Sequence, residues 1–215
     1  MKHSDALVIA QGLVERLRPA CTRIEIAGSI RRGKAEVKDI EIVAIPDLTT
    51  TPKMPRPNFG EPPPKPFKTH LDKLLHEICL EGQMRPIKGG DKYKQFEISV
   101  SVGFELSSGN VWLGKNWGKI NLDLFLVTPP AEWGVQMVIR TGPAEFSHWC
   151  VTRMRNGGVM PNTHRVQDGA VWLGDREEKN PDPSTKIVMP EEIDFLNFLG
   201  LGWIEPGERE ARWKR

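Results

Sequence analysis

The spacing of apolar residues predicts a helix at the start of the chain. One apolar stripe recurs every three or four positions and comprises Ala6, Ala10, Leu13 and Leu17. Ser4 stands where a residue that caps the first turn is expected, and Pro19 follows the end of the stripe. We therefore predict an amphipathic helix between these two residues.

Alternation of apolar and polar residues predicts strands in four places. Two of these segments, residues 23–27 and residues 39–45, flank a short basic turn that begins at Gly28-Ser29. The other two segments are residues 94–106 and residues 119–127. Strands of this kind, with helices between them, indicate a sheet covered by helices.

The segment between the second and third strands divides into a loop and a helix. Residues 46–66 are rich in proline and lack periodicity, so we predict an exposed loop there. Thr69 and Asp72 resemble a capping box, and the helical stripe that follows them stops at Gly82. A second helix is therefore expected after the loop.

A second half begins after Pro129-Pro130. Helices are predicted over residues 131–140 and 144–156, and short strands and loops over residues 164–189. Pro190 opens a last helix that ends at Gly200. The expected fold class is α+β, with a boundary near residue 130.

The composition of the 215 residues is that of an ordinary globular protein. The chain is 39% hydrophobic and 27% charged, and no apolar run approaches the roughly 20 residues of a membrane helix. Asp5 and Gln11 interrupt the apolar start, which favours a helix over a signal peptide and a cytoplasmic, intracellular location. Three cysteines without a metal-binding spacing favour reduced thiols, and a net charge of +2 permits a phosphate partner without requiring one.

Three carboxylates suggest a metal site. Asp39 and Glu41 lie two positions apart in a predicted strand, so both point to the same face of the sheet. Asp123 lies in another strand, among apolar neighbours. Carboxylates that are close together on a sheet need a cation or shifted pKa values, and oxygen ligands favour Mg²⁺ or Mn²⁺. We interpret Asp39, Glu41 and Asp123 as a catalytic and metal-binding set.

The turn before the second strand suggests a phosphate site. Gly28-Ser29 supplies backbone N–H groups, and Arg32 adds a cation that matches the geometry of phosphate. Taken singly, each of these features is ordinary in a protein without such a site. Their combination with Asp39, Glu41 and Asp123 favours a nucleoside triphosphate held beside two metal ions.

These residues resemble the nucleotidyltransferase superfamily, and within it the family X DNA polymerases. Residues 27–33, Ala-Gly-Ser-Ile-Arg-Arg-Gly, resemble that family's AGSxRRG motif, and Thr141-Gly142 before a helix resemble its Thr-Gly-Ser segment. Residues 190–209 resemble its closing EED-F-LLGL-Y-x-EP-x-R segment. The resemblance implies a palm domain at residues 1–130, a mixed sheet with helices on one face, and a small α+β thumb-like domain at residues 131–215.

The resemblance also implies roles for single residues and a reaction. Two Mg²⁺ or Mn²⁺ ions would be bound by the three carboxylates, and a dNTP substrate by Gly28, Ser29, Arg32, Arg140, Thr141, Gly142 and Ser147. The expected protein is a monomeric DNA polymerase that adds dNMP to a primer 3′-hydroxyl in gapped or nicked DNA and releases pyrophosphate, in short-gap repair or replication. No membrane partner is expected.

One departure from the family's pattern keeps alternatives open. Ile139-Arg140 stand where the family usually has an aromatic pair that helps to exclude a ribose hydroxyl. A template-independent nucleotidyltransferase that acts on RNA, protein or a small molecule is therefore the second interpretation. An inactive nucleotide-binding or DNA-binding module is the third.

Overall fold

The computed structural model describes residues 1–49, 67–99 and 118–212, together with the backbone of residues 105–106 and 109–110. Most of the predicted proline-rich loop, from residue 50 to residue 66, lies outside the described residues. The end of the predicted strand over residues 94–106 lies partly outside them as well.

The described chain contains six α-helices and ten strands. The helices are α1 (His3–Leu17), α2 (Gly28–Arg31), α3 (His70–Leu80), α4 (Trp133–Thr141), α5 (Ala144–Val151) and α6 (Glu192–Phe198). The strands are β1 (Cys21–Ile26), β2 (Asp39–Pro46), β3 (Met84–Gly89), β4 (Tyr93–Ser99), β5 (Glu105–Leu106), β6 (Gly109–Asn110), β7 (Lys119–Leu126), β8 (His164–Gln167), β9 (Ala170–Leu173) and β10 (Lys186–Ile187). Short 3₁₀ turns lie at Arg18–Ala20, Met154–Asn156, Pro183–Thr185 and Pro206–Glu208.

The larger sheet has five strands in the order β1-β2-β7-β4-β3. Its central pair, β2 and β7, is parallel, whereas the other neighbouring strands are antiparallel. A mixed sheet combined with helices confirms the α+β class. β3 was missing from the sequence prediction, because most of its residues are exposed and carry no alternating pattern.

Helices α1 and α3 cover one face of this sheet. The apolar stripe of α1 is buried there together with Ile40, Ile42, Leu122 and Leu124. The capping box of Thr69 and Asp72 is present as predicted. The predicted cap at Ser4 is wrong. Helix α1 begins two residues earlier than a Ser4 cap would allow, after Lys2, and the Ser4 hydroxyl donates to the Asp5 carboxylate instead.

Helix α4, which lies beyond the predicted palm of residues 1–130, packs on the opposite face of the sheet. Val43 and Val127 project to that face and pack against Trp133 and Met137 of α4. The alternation of β2 and β7 supplies apolar residues to both faces at this end of the strands. The other end of the same face carries the acidic residues and is not covered by α4.

The C-terminal half has a core of its own. The apolar sides of α4, α5 and α6 meet β9 of a small three-stranded sheet with the order β10-β9-β8. The predicted helix over residues 144–156 is shorter than expected, because Gly158 packs directly against the carbonyl of Thr152 and the chain turns there. The division into a palm and a thumb at residue 130 stays a prediction.

No helix in the described part of the chain is long and apolar enough to cross a membrane. The expected monomeric state and the expected cellular compartment stay predictions.

Candidate active site

The register of the parallel pair β2 and β7 brings the three predicted carboxylates to one face of the sheet. Asp39 lies beside Asn121, and Glu41 lies beside Asp123. The intervening Ile40 and Leu122 are fully buried on the other face, which fixes the direction of the acidic side chains. All three carboxylates are partly buried. The sheet therefore collects negative charge at one point of its surface.

The Glu41 carboxylate lies against Gly28 at the start of α2. A Cβ atom on Gly28 would stand only 1.6 Å from Glu41 Oε2, so glycine is required for this approach. The φ angle of Gly28 is +62°, a conformation that also favours glycine. The Ser29 backbone N–H donates to Glu41. Gly28, predicted to bind a nucleotide, thus makes room for a carboxylate.

Burial and neighbouring charges shift the titration of these acids. Burial, followed by the Asp39 carboxylate, raises the pKa of Glu41 to about 7, although Arg32 and the Ser29 N–H oppose the increase. Burial, followed by the Asp123 carboxylate, likewise raises the pKa of Asp39. Both groups are held in surroundings that lack sufficient positive charge for their ionised forms.

The arrangement of the acidic side chains bears on metal binding. Across the described ranges, no three His, Cys, Asp or Glu side chains converge as ligands of one ion. The Glu41 carboxylate lies against Gly28 and accepts from the Ser29 backbone N–H. The oxygen donors of Asp39, Glu41 and Asp123 fit a hard divalent cation.

Asp123 is held by two side chains that the sequence analysis missed. The Tyr93 hydroxyl donates to Asp123 Oδ1 over 2.7 Å, and Gln95 Nε2 donates to the same oxygen over 2.9 Å. Burial, followed by the hydrogen bond to Asp123, raises the pKa of Tyr93 to about 12, so the phenol keeps its proton at neutral pH. The spacing of two residues in β4 was the signal available in the sequence.

A pocket of about 600 Å³ opens beside the carboxylates, a volume in the range of small-ligand sites. It lies between α2 with its following loop and the segment that joins α4 to α5. The predicted site residues in its wall are Ser29, Arg32, Asp39, Glu41, Arg140, Gly142 and Ser147. Lys34, Glu36, Lys38, Ile139 and Ala144 complete the wall. Gly28, Thr141 and Asp123 lie nearby but do not line the pocket.

Two buried polar atoms next to the pocket lack a hydrogen-bond partner among the described residues. They are Ser29 Oγ and Arg32 Nε. An unpartnered buried donor costs about 1–3 kcal/mol, so a bound acceptor would satisfy both groups. Arg32 also donates to the carbonyls of Thr141 and Gly142, which joins α2 to the C-terminal half.

Arg140 is a second arginine that lines the pocket. Its guanidinium lies 4.1 Å from the centre of the Phe125 ring, on the acidic face of the sheet. Burial lowers the pKa of Arg140, and the charges of Glu41 and Asp123 oppose that decrease. No ion pair within 4 Å joins Arg140 to a carboxylate of the described chain. The positive charge of Arg140 therefore acts on both the acidic cluster and the pocket.

The predicted residues at the junction of α4 and α5 have structural partners. Thr141 is buried, and its hydroxyl accepts a hydrogen bond from Arg31 over 2.9 Å. The Ser147 hydroxyl donates to the carbonyl of Ile139 over 2.6 Å. Gly142 packs against Phe146, leaving no space for a larger residue. These contacts fix the shape of the pocket wall.

A buried ionic network connects α2 to the C-terminal segment. Glu192 accepts from Arg31 over 2.5 Å and from Arg209 over 2.9 Å, and the Arg209 side chain has no exposed surface. Arg209 also donates to the carbonyl of Ile204. Through this network, Arg31 of α2 is linked to both ends of residues 190–209.

Trp149 belongs to the core of the C-terminal half. Only 4% of its surface is exposed, and its ring packs against Phe146 at 6.0 Å. Trp149 therefore contributes to packing in this half of the chain and has almost no surface for a nucleic-acid base.

The comparison with protein-family models finds no match to this sequence, and the comparison with curated proteins finds none either. The resemblance to family X polymerases therefore rests on the motifs described above. A functional assignment has to be argued from the site itself.

Proposed function

We propose that this protein is a metal-dependent nucleotidyltransferase, a DNA polymerase of the family X type. In this proposal the larger sheet with α1 and α3 is the palm, and the C-terminal half selects the nucleotide. The reaction is attack of a primer 3′-hydroxyl on the α-phosphorus of a dNTP, with pyrophosphate as the leaving group.

The observation that carries the proposal is the position of the acidic face beside a pocket with unsatisfied donors. Asp39, Glu41 and Asp123 share one face in adjacent, register-matched strands. Ser29 Oγ and Arg32 Nε, at the adjoining pocket, are buried and have no hydrogen-bond partner in the described part of the chain. A polyphosphate with a bound divalent cation brings positive charge to the acids and acceptor oxygens to the donors.

Asp39, Glu41 and Asp123 are the residues that would hold the metal ions. Bound Mg²⁺ or Mn²⁺ would lower the pKa of the attacking hydroxyl and neutralise the charge that develops on the leaving group. The raised pKa of Glu41 supports this assignment, because ionisation of the acidic cluster becomes easier when a cation is present.

Groups of the protein would orient the substrate. Ser29 and Arg32 line the pocket together with Asp39 and Glu41, where a triphosphate would meet the Arg32 guanidinium and the Ser29 hydroxyl. Arg140, Gly142 and Ser147 line the same pocket. The enzyme's own contribution is then the alignment of two reactants and the exclusion of competing geometries.

A primer-extension panel tests the proposal. Gapped duplex, simple primer-template and single-stranded primers of DNA and RNA would each be incubated with dNTPs or NTPs and with Mg²⁺ or Mn²⁺. We expect metal-dependent addition of the nucleotide complementary to the template in a gap. The variant Glu97→Gln, whose parent residue pairs with Lys119 and does not line the pocket, serves as the control and should retain activity.

The same panel separates the second candidate. Arg140 and Ile139 line the pocket wall, where their side chains would contact the sugar or base. This observation favours a transferase with relaxed sugar selection. Addition that ignores the templating base, or that prefers NTPs on a single strand, would support template-independent transfer to RNA or to another acceptor.

A further inference from the structure

We infer that Tyr93 and Gln95 are positioning residues for Asp123, and that they leave one carboxylate oxygen, Oδ2, to bind the cation. The inference rests on the proposed metal-dependent transfer and adds to it a set of supporting residues. It is carried by hydrogen-bond geometry in β4 and β7.

The two donors converge on one atom. Tyr93 Oη lies 2.7 Å from Asp123 Oδ1, and Gln95 Nε2 lies 2.9 Å from that oxygen. No hydrogen bond reaches Oδ2 from the described residues. Two hydrogen bonds to one oxygen fix both the rotamer and the rotation of the carboxylate plane. Asp123 is thereby oriented as a monodentate ligand.

The donors themselves are held in place by the sheet. Gln95 lies directly opposite Asp123 in the antiparallel pair of β4 and β7, and Tyr93 lies opposite Phe125. The rings of Tyr93 and Phe125 are stacked, with their centres 5.2 Å apart. Arg140 covers the Phe125 ring at 4.1 Å. These strand pairings and ring contacts hold the Tyr93 phenol in place without a bound substrate.

The hydrogen bonds of Asp123 differ from those expected of a carboxylate with only a structural role. An aspartate that only satisfied its own burial would be expected to use both oxygens, because each retains acceptor capacity. Here the two donors act on one oxygen, and the Coulomb field of Asp123 reaches both Asp39 and Glu41. The free oxygen belongs to the carboxylate cluster that would surround an ion.

The test compares Tyr93→Phe, Gln95→Met and the double variant with the wild type. Tyr93→Phe removes one oxygen atom and keeps the ring stack, and Gln95→Met keeps the length of the side chain. Glu97→Gln is the matched control, because Glu97 lies on the same strand and contacts Lys119 and Arg85 instead. The readouts are Mn²⁺ binding, followed by the free-ion electron paramagnetic resonance signal, and the Mg²⁺ concentration that gives half-maximal incorporation.

We expect each single variant to weaken Mn²⁺ binding and to raise the half-maximal Mg²⁺ concentration by about 3–10-fold, and the double variant by about 10–100-fold. Saturating metal should restore most of the rate. A double variant with the wild-type metal dependence would overturn the inference. If it does not fold, Tyr93→Phe alone decides, since it removes no packing.

The failure of this inference differs from the failure of the proposed function. Metal-dependent transfer that is lost in Asp123→Asn but unchanged in the double variant would refute positioning and leave the transferase intact. Full transfer by Asp123→Asn, or no transfer by the wild type, would overturn both.

Discussion

The acidic cluster makes a quantitative prediction for the metal-free protein at Glu41. Replacement of Glu41 by Gln keeps an oxygen that can accept the Ser29 N–H but removes the charge. Folding raises the pKa of Glu41 from 4.5 to about 7, chiefly through burial. Because folding favours the protonated form, the ionised carboxylate opposes folding. This penalty is absent below about pH 4.5 and complete above about pH 7.

The size of the effect follows from the pKa values. At about 1.4 kcal/mol for each tenfold change in proton affinity, the penalty is at most about 3–4 kcal/mol. In EDTA, Glu41→Gln should therefore be more stable than the wild type at pH 8 by up to about 3–4 kcal/mol. At pH 4.5 the two proteins should be equally stable, apart from the small change in hydrogen bonding.

Urea denaturation in EDTA at several pH values between 4.5 and 8 measures this difference. Glu15→Gln, on the exposed side of α1, is the control for replacing a surface carboxylate by an amide. Millimolar Mg²⁺ should stabilise the wild type more than Glu41→Gln at pH 8, since a cation offsets the repulsion. A stability difference that does not change with pH would refute the reasoning.

Two further variants test the contacts around α2. Gly28→Ala should cost about 1–2 kcal/mol from its positive φ and should also displace the Glu41 carboxylate, abolishing metal-dependent transfer. Gly33→Ala has a similar φ of +68° and open space around it, so it should show the same loss in urea denaturation yet retain transfer. Equal transfer activities of Gly28→Ala and Gly33→Ala would contradict the proposed role of the contact between Glu41 and Gly28. Glu192→Ala leaves the buried Arg209 unpaired and should lower the free energy of unfolding by about 3–5 kcal/mol, whereas a loss below 1 kcal/mol would show that the network is not important.

Strand periodicity was sufficient to predict where the acids point. Residues two apart in a strand share a face, so Asp39 and Glu41 had to emerge on the side opposite Ile40. The buried Leu122 and Leu124 likewise required Asp123 to face away from α1 and α3. The sequence could therefore predict the acidic face, because the physical rule involved is local.

The partners of the acids depend on contacts between distant segments, and periodicity cannot reveal them. The approach of Glu41 to Gly28 requires β2 to lie beside α2, and the hydrogen bonds of Tyr93 require β4 to pair with β7. The second layer formed by α4 was missed for the same reason. Its residues Trp133 and Met137 are apolar, but nothing in their spacing says which sheet face they meet.

The start of the first helix shows a local rule that failed. Ser4 has a side chain that is typical of a cap, yet α1 already includes it. The backbone of Lys2 pairs with Glu36, and the His3 N–H donates to the carbonyl of Ala35, so tertiary contacts set the first turn. Such contacts outweigh a capping preference of about 1 kcal/mol.

The most direct test of the central claim is pyrophosphate release by the wild type and by Asp123→Asn on a one-nucleotide gap. The asparagine keeps the shape of the side chain and an acceptor for Tyr93 and Gln95, but it removes the negative charge. We predict metal-dependent release by the wild type and a rate at least about 100-fold lower for the variant. Equal rates in the two proteins would contradict the account.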